Sequence, residues 1–509
     1  MKRILLPLFI ALILIGCGGG GSKKPNAEAK YPSTQREFNI GSGVTTATIE
    51  KSSDSKITLN LDTYKDVYIA VISRFDNQYI SVDDSVSSAY PQQSFRKTSV
   101  ELNHPKVPNK IIKFRDETAH NLLKKGKNTK LQKQNRVTTL DDEYDFCIDM
   151  NSANSCTKTI TLTAKKIVDS VNTKFGAKKL VIWIPQSEYD NGNITDNMLD
   201  EMADKFLKDG DANDIYDWDT NVHGKEWGSD ASSTDSNVIS ATDTIDIALY
   251  PMNDERVAGY FWAKDIFKKS DVPASNEKLM LYINSKMYKK SPKEVFTTIA
   301  HEFSHLINFY QRDIKLGLND STWFKEFLAE TTEDLLAQKL NYDSTRYSEY
   351  NEANYYSITR WYGNVQSYAS VHTFGAFLLR NYGGAELLHK MSLNKNSDEQ
   401  AIMDATGVSD FTKLLQNWST AYILSNRDDL DSSLPKFNYT SAIHSHYGNV
   451  TYDLNPINFY SYDPAPTSYI SGTLDKDSIL YYKVGENLDG TVKINVKIEK
   501  GADIQIITQ

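Results

Sequence analysis

The sequence predicts an α+β protein with small all-β modules at its two ends, and three observations lead to this class. Segments of alternating or β-branched residues, such as residues 57–61, dominate the N-terminal part. In the middle, short apolar strand runs such as residues 180–184 are followed by helical periodicity between about 292 and 425. Alternation returns near the end, at residues 492–498. Strands first and helices after them are typical of α+β domains.

The composition is that of an ordinary globular protein. Of the 509 residues, 40% are hydrophobic and 24% are charged, which excludes a chain that is disordered by composition. The length predicts two or three folding units. The net charge of −9 comes from acidic and basic residues that are interspersed, so we do not expect nucleic acid as a partner.

The N-terminus has the features of a signal peptide. Lys2 and Arg3 precede an apolar run at residues 4–15, which is too short for a permanent membrane span. The run ends in Gly16-Cys17, and the segment resembles the lipobox of bacterial lipoproteins. This resemblance implies that Cys17 is acylated, with a lipid membrane as partner and a location in the bacterial cell envelope, at the outer membrane or cell surface. An ordinary signal peptide with an incidental cysteine is the alternative.

Changes in composition divide the rest of the chain. A Gly-rich, polar segment predicts a flexible tether, and a Lys-, Asn- and Gln-rich segment predicts a linker with room for a short helix. The expected units are a signal peptide at 1–16, a tether at 17–37, a β-sandwich-like module at 38–105, a linker at 106–140, the main α+β domain at 141–430 and a C-terminal β module at 431–509.

Two cysteines remain after Cys17. Cys147 and Cys156 lie a short loop apart, and in an exported chain such a pair predicts one disulfide. Two free thiols are the alternative.

A His-Glu-x-x-His pattern is the strongest chemical signal in the sequence. Ser291 and Pro292 predict a helix start, with Ser291 as a capping residue. His301 and His305 are four residues apart on the helix that follows, so they share one face and can bind one cation through two imidazole nitrogens. Glu302 can then reach a water on that cation without ligating it, as in zinc peptidases. The alternative is an amphipathic helix with two histidines at the edge of the core.

The next predicted helix, at residues 322–340, supplies a third ligand. Catalytic zinc needs three protein ligands and one open position. The segment resembles the corresponding helix of the gluzincins, which implies a zincin-like domain with Glu326 as the third ligand, although Lys325 stands where Asn is commoner. Glu330 matches the acid that hydrogen-bonds a ligating histidine. The alternatives are a swap of Glu326 and Glu330, and an acidic surface helix, which would not explain the apolar residues beside both acids.

Several stretches resemble the hyicolysin family of neutral zinc metallopeptidases, over roughly residues 160 to 425. The resemblance implies that a Tyr after the metal-binding helices donates to the oxyanion of the reaction. Tyr368 occupies that place, with His372 on the same helix face as a second candidate; two residues that only pack beneath the metal helices are the alternative. The matching stretches are 214–217 with 224–228, 259–262 with Asp265, 275–278, 301–309, and 368–374 with Phe377, Leu378, Tyr382 and Gly383.

These features together predict a membrane-anchored zinc metalloendopeptidase with one Zn²⁺ ion. Glu302 is the expected general base, and proteins or peptides outside the cytoplasm are the expected substrates. A surface adhesin or scaffold with a vestigial zinc site, and a zinc hydrolase acting on another bond, are the alternatives. The acidic run at residues 209–214 hints at a calcium loop, but Asp214 stands where an EF-hand needs Gly, which favours a solvated loop.

Overall fold

The structure is a computed structural model that describes residues 30–86, 93–94, 108–123, 138–210, 212–228, 230–255, 257–430 and 439–509. The predicted signal peptide, Cys17 and residues 18–29 of the tether lie outside the described residues. Among the described residues, no helix has the length and apolar character needed to cross a membrane.

The strands are β1 Thr34–Ile40, β2 Thr45–Ser52, β3 Ser55–Ser73, β4 Gln78–Asp84, β5 Gln93–Ser94, β6 Glu143–Met150, β7 Cys156–Thr173, β8 Gly176–Ile184, β9 Thr244–Tyr250, β10 Gly259–Phe261, β11 Leu279–Asn284, β12 Ile443–Tyr447, β13 Val450–Leu454, β14 Tyr469–Leu474, β15 Ile479–Ile498 and β16 Ala502–Thr508. The α-helices are α1 Asn109–Lys113, α2 Ala119–Leu123, α3 Gln186–Asp190, α4 Asp196–Phe206, α5 Ile215–His223, α6 Ala231–Thr234, α7 Ser285–Lys290, α8 Pro292–Asn308, α9 Thr322–Leu340, α10 Arg346–Glu352, α11 Val365–Tyr382, α12 Gly384–Ser392, α13 Asp398–Thr406 and α14 Phe411–Ile423. Segments Phe114–Thr118 and Phe309–Lys315 are π-helical, and Ala263–Ile266, Leu424–Asn426 and Phe459–Ser461 are 3₁₀-helical.

The N-terminal and C-terminal β segments of the described residues share one sheet. Its strand order is β2-β16-β3-β15-β4-β14-β5, with β1 also paired to β3. The long strand β3 pairs antiparallel with both β15 and β16, so N-terminal and C-terminal strands alternate across the sheet. The prediction of two separate β modules therefore does not describe this sheet, because neither segment supplies the neighbours that complete its own ladder.

The second half of β3 is buried on both faces. Val67, Ile69 and Val71 belong to the core of this terminal sheet. Tyr68, Ala70 and Ile72, on the opposite face, belong to the larger core that contains the central sheet and the helices. Because strand side chains alternate between faces, one strand joins the two cores.

The central sheet lies in the main α+β domain. Its order is β10-β11-β9-β8-β7-β6, in which β8, β9 and β11 run parallel and the remaining pairs run antiparallel. The strand runs predicted at 180–184, 245–249 and 279–283 all lie inside these strands. Cys147 and Cys156 form the predicted disulfide between β6 and β7, with Cα atoms 5.8 Å apart.

The helices that follow agree with the predicted periodicity, and one close contact sets their packing. Helices α9 and α11 cross at Gly375, where a Cβ atom would lie 2.2 Å from Thr331 Oγ1. The missing side chain therefore lets α11 approach α9 closely. Pro292 begins α8 as predicted, but the Ser291 side chain makes no capping hydrogen bond, so that part of the prediction is wrong.

Residues 108–123, which fall in the predicted linker, pack into the main domain instead; we call them the arm. They form α1, a π-helical turn and α2. Ile111, Phe114 and Ala119 are buried, and the Phe114 ring meets the Phe267 ring edge to face at 5.9 Å between centroids. Three buried apolar residues in a polar segment are too few to give a helical periodicity that the sequence analysis could detect.

We expect cysteines at Thr58 and Lys493 to form a disulfide on oxidation, because these residues face each other across β3 and β15. Opposed residues of antiparallel strands have Cα atoms about 4.5–5.5 Å apart, within disulfide range. Peptide mapping by mass spectrometry detects the product. The control pair, Thr58→Cys with Lys497→Cys, is displaced by four residues, roughly 13 Å along the strand. Equal yields from the two pairs, or none from the first, would contradict the shared sheet.

Candidate metal centre and active site

Two neighbouring helices bring the predicted ligands together. His301 and His305 lie one turn apart on α8, as their spacing requires. Helix α9 packs against α8 and carries Glu326. The side chains of all three residues are buried, with exposures of 7%, 5% and 3% in the order His301, His305 and Glu326.

The donor atoms form a nearly equilateral triangle. His301 Nε2 lies 3.1 Å from His305 Nε2, and Glu326 Oε2 lies 3.4 Å from His301 Nε2 and 3.3 Å from His305 Nε2. Two donors that bind one tetrahedral zinc ion at about 2.0–2.1 Å lie about 3.3 Å apart. Two imidazoles and a carboxylate at these separations therefore fit one zinc ion.

The pKa shifts of His305 and Glu326 favour metal binding, whereas the shift of His301 means that a metal ion would have to displace a proton there. Burial lowers the pKa of His305 to about 4, which keeps its imidazole neutral at ordinary pH. Burial alone would raise the pKa of Glu326, but His305 and Arg115 outweigh it and hold that pKa well below its usual range. Burial likewise opposes a charge on His301, yet its contacts with Glu326 and Glu333 raise the pKa well above the ordinary value.

The acid that holds His301 is Glu333, not Glu330 as predicted. Glu333 Oε1 lies 2.7 Å from His301 Nδ1, whereas Glu330 Oε1 lies 4.0 Å from the same atom. With Glu333 accepting from Nδ1–H, Nε2 is the nitrogen of His301 that faces the triangle and would ligate a metal ion once it is deprotonated. Glu330 instead accepts from Arg346 at 3.1 and 3.2 Å and contacts His372 Nδ1 at 2.9 Å.

Glu302 is buried beside the candidate ligands. Its Oε2 accepts a hydrogen bond of 2.7 Å from the backbone N–H of Phe261 in β10, which fixes the carboxylate between α8 and the central sheet. Burial raises the pKa of Glu302 to about 7; His301 opposes this shift and Glu326 adds to it. A carboxylate with such a pKa accepts and returns protons near neutral pH.

Tyr368 and His372 lie on α11 but in different surroundings. The Tyr368 ring packs against Trp361 at 4.7 Å and under the Arg346 guanidinium at 5.2 Å. Burial raises the pKa of Tyr368 well above its usual value, and the charges of Glu326, Glu330 and Glu302 add to the shift, so its hydroxyl stays protonated. His372 is fully buried, with Nδ1 at Glu330 and Nε2 unpaired among the described residues.

A further side chain, Arg115 of the arm, reaches the centre. Its Nη2 donates to Glu326 Oε1 at 2.8 Å. Its Nη1 lies 3.3 Å from His305 Nε2 and 3.4 Å from His305 Nδ1. The guanidinium therefore contacts two of the three candidate ligands.

Sequence reasoning identified seven of these side chains and missed three. Glu333 stands two helical turns after Glu326, so the spacing of α9 could have indicated it. Arg346 begins a short helix whose residues have no distinctive pattern. Arg115 lies about two hundred positions before the ligands, in a polar segment, and no local signal indicates its contact with Glu326.

The acidic run that hinted at calcium has another role at its last residue. Asp214 is the N-cap of α5, and its carboxylate accepts from the backbone N–H groups of Asp217 at 2.8 Å and Lys208 at 2.6 Å. One oxygen thus caps α5, and the other holds the loop that follows α4.

The fold and this site define a class, the α+β metallopeptidases. The model of the family described as peptidase M30 matches residues 157–506, and the chain belongs to this family. A relative, the neutral metalloprotease ShpI of Staphylococcus hyicus, is 22% identical over 343 residues, which are 63% of this chain and 70% of that protein. The prediction of a metallopeptidase is confirmed at the level of the family.

Solved structures with partial similarity include an M1 zinc metallopeptidase from Deinococcus radiodurans. A variant of it has a TM-score of 0.30 and 9% identity, and the match covers 75% of this chain and 67% of that one. Another structure of the enzyme has a TM-score of 0.27 and 11% identity, covering 72% and 61%. We draw no conclusion from similarity at these TM-scores.

We expect Glu333→Gln to weaken metal binding roughly 10–100-fold, because the loss of such an outer carboxylate leaves the ligating imidazole free to rotate and less basic. Competition with a chromophoric chelator measures the zinc dissociation constant. Glu386→Gln is the matched control, since Glu386 is an exposed acid whose ion pair, of 2.9 Å, is with Lys390. An unchanged constant in Glu333→Gln would show that its contact with His301 does not support the metal.

Proposed function

We propose that this protein is a zinc endopeptidase that hydrolyses peptide bonds of proteins or peptides outside the cytoplasm, in keeping with the hyicolysin-like stretches of its sequence. The observation that carries the proposal is the buried triangle of His301, His305 and Glu326 with Glu302 next in sequence to the first ligand. The membership of the peptidase M30 family supports the reaction class.

His301, His305 and Glu326 would hold the zinc ion, and Glu333 would orient His301. A bound Zn²⁺ lowers the pKa of water and polarises the scissile carbonyl. With three donors from the protein, a tetrahedral zinc ion would keep one position open for chemistry.

Glu302 is the proposed general base. Its hydrogen bond to Phe261 N–H leaves the other carboxylate oxygen free to take the proton of the attacking water. Its pKa of about 7 matches this duty and the return of the proton to the leaving amine.

Tyr368 is the proposed donor to the oxyanion, in preference to His372. Its phenol is protonated, and the ring is held from two sides by Trp361 and Arg346. His372 is fully buried against Glu330, where it positions the Glu330–Arg346 pair that lies over Tyr368. An oriented donor of this kind stabilises the charge that develops on the carbonyl oxygen.

The lipobox-like N-terminus supports export and anchoring through acylated Cys17. The disulfide between Cys147 and Cys156 agrees with an oxidising compartment. We propose the cell envelope as the site of action, with substrates that can reach a tethered enzyme.

We expect Glu302→Gln to retain zinc and to lose casein cleavage by a factor of roughly 10²–10⁴, because the amide keeps the size of the side chain but cannot take a proton. Zinc content by atomic emission and casein cleavage, measured together on wild type and variant, provide the test. Zinc with no cleavage in either protein would overturn the peptidase proposal and favour another bond as substrate. A wild type without zinc would favour an adhesin or scaffold.

We expect Tyr368→Phe to lower kcat by roughly 10²–10³-fold with little change in KM, because the ring packing survives and the oxyanion donor is lost. Steady-state kinetics on a quenched fluorescent peptide separate the two constants. Tyr356→Phe is the control, since that ring stacks on Tyr355 at 5.2 Å. A change in KM alone would assign Tyr368 to substrate binding.

A further inference from the structure

The arm brings a permanent positive charge to the candidate zinc ligands. Arg115 is 6% exposed, and its guanidinium contacts Glu326 and His305 as described above. A guanidinium keeps its proton under all ordinary conditions and has no acceptor atom, so it can neither neutralise itself nor ligate a metal.

The contact is built into the way the arm docks on α9. Arg115 Nε donates to Asp116 Oδ1 at 2.8 Å, which fixes the direction of the guanidinium. Asp116 in turn accepts from the Thr322 hydroxyl and from Lys325 Nζ, the latter at 3.3 Å. Thr322 and Lys325 belong to the first turns of α9, the helix that carries Glu326. The arm is therefore positioned by the same helix whose ligand it covers.

The positive charge of Arg115 beside Glu326 and His305 disfavours the binding of a metal cation there. Arg115 neutralises the charge of the buried Glu326 carboxylate. A divalent cation must therefore share that carboxylate with Arg115 or displace the guanidinium from it. Like charges a few ångströms apart in a buried site repel far more strongly than in water. The guanidinium also takes up space beside two of the candidate ligands.

The arm has the character of a separable element. Its docked surface includes the buried Ile111, Phe114 and Ala119, whereas Lys113 and Glu117 have side-chain exposures of 70% and 66%. It also lies before residues 157–506, the span that the family model matches. The family match therefore does not include the arm.

We propose that the arm is an internal inhibitor, in which Arg115 weakens zinc binding at His305 and Glu326 and obstructs the centre until the arm moves away from α9. This rests on the proposed function, since it regulates the same site. Release of the arm removes the guanidinium from His305 Nε2, a donor atom of the triangle, and from the Glu326 carboxylate.

The test measures zinc affinity of the full chain by competition with a chromophoric chelator. Arg115→Ala and Arg115→Gln remove the charge, and we expect each to bind zinc about tenfold more tightly or better than wild type. Lys113→Ala is the matched control, because it removes an exposed charge from the same arm; its affinity stays within about twofold of wild type. Equal affinities in wild type and both Arg115 variants overturn the proposal.

Phe114→Ala provides a second test that leaves Arg115 in place. It removes the ring that packs on Phe267, so the arm docks less often, and zinc affinity rises in the same direction by a smaller factor. Circular dichroism and thermal unfolding confirm the fold of each variant. If Arg115→Ala does not fold, Arg115→Gln and Phe114→Ala decide the matter by the same measurement.

Access to the centre is measured separately, with a hydroxamate that binds catalytic zinc. On zinc-saturated protein its association rate constant rises in the Arg115 and Phe114 variants if the arm obstructs the cleft. Unchanged rates together with unchanged zinc affinity, or variants that cleave casein less well than wild type, refute inhibition and make Arg115 a supporting residue. Tighter zinc binding without cleavage in any protein would keep the arm proposal and refute the peptidase, so the two proposals fail separately.

Discussion

The burial of several ionisable side chains between α8 and α9 is the constraint on which the site depends. His301, His305, Glu302 and Glu326 are each at most 7% exposed, so water compensates little of their charge. Buried charges must be paired or must bind a metal. A second layer meets this demand: Glu333 holds His301, and Arg346 with His372 holds Glu330. The triangle of donor atoms is therefore held in place before any metal binds.

Elements outside α8 and α9 also position the side chains of the site. Gly375 allows α11 to approach α9, and this places Tyr368 beside the acids. The backbone of Phe261, in a strand at one end of the central sheet, orients Glu302. The terminal sheet completes the larger core through one face of β3, so its removal would expose apolar side chains of the main domain. Among the described residues, neither terminal β segment is an appendage to the main domain.

Arg115 of the arm and a metal ion would compete for the same ligands. The Glu326 carboxylate that suits a metal ion also suits the Arg115 guanidinium, since either cation stabilises its charge. Which of them holds the ligand depends on how firmly the arm is docked, and that docking uses a few apolar contacts and the Asp116 interactions with α9. Displacing the arm would by itself raise the zinc affinity of such a site, because the ligands do not need to rearrange.

The sequence by itself determined the features that depend on residues close together in the chain. The spacing of His301 and His305, the neighbouring Glu302 and the helical period that includes Glu326 are local, because a helix places residues four apart on one face whatever surrounds it. The tertiary structure alone decided the partner of His301, since Glu330 and Glu333 differ by less than one turn and the choice depends on how α9 rotates against α8. It also decided the pairing of β3 with β15 and β16 and the arrival of Arg115, because these join segments far apart in the chain. Such contacts depend on which buried surface and charge remain unsatisfied once the core has formed, and a linear pattern does not contain that information.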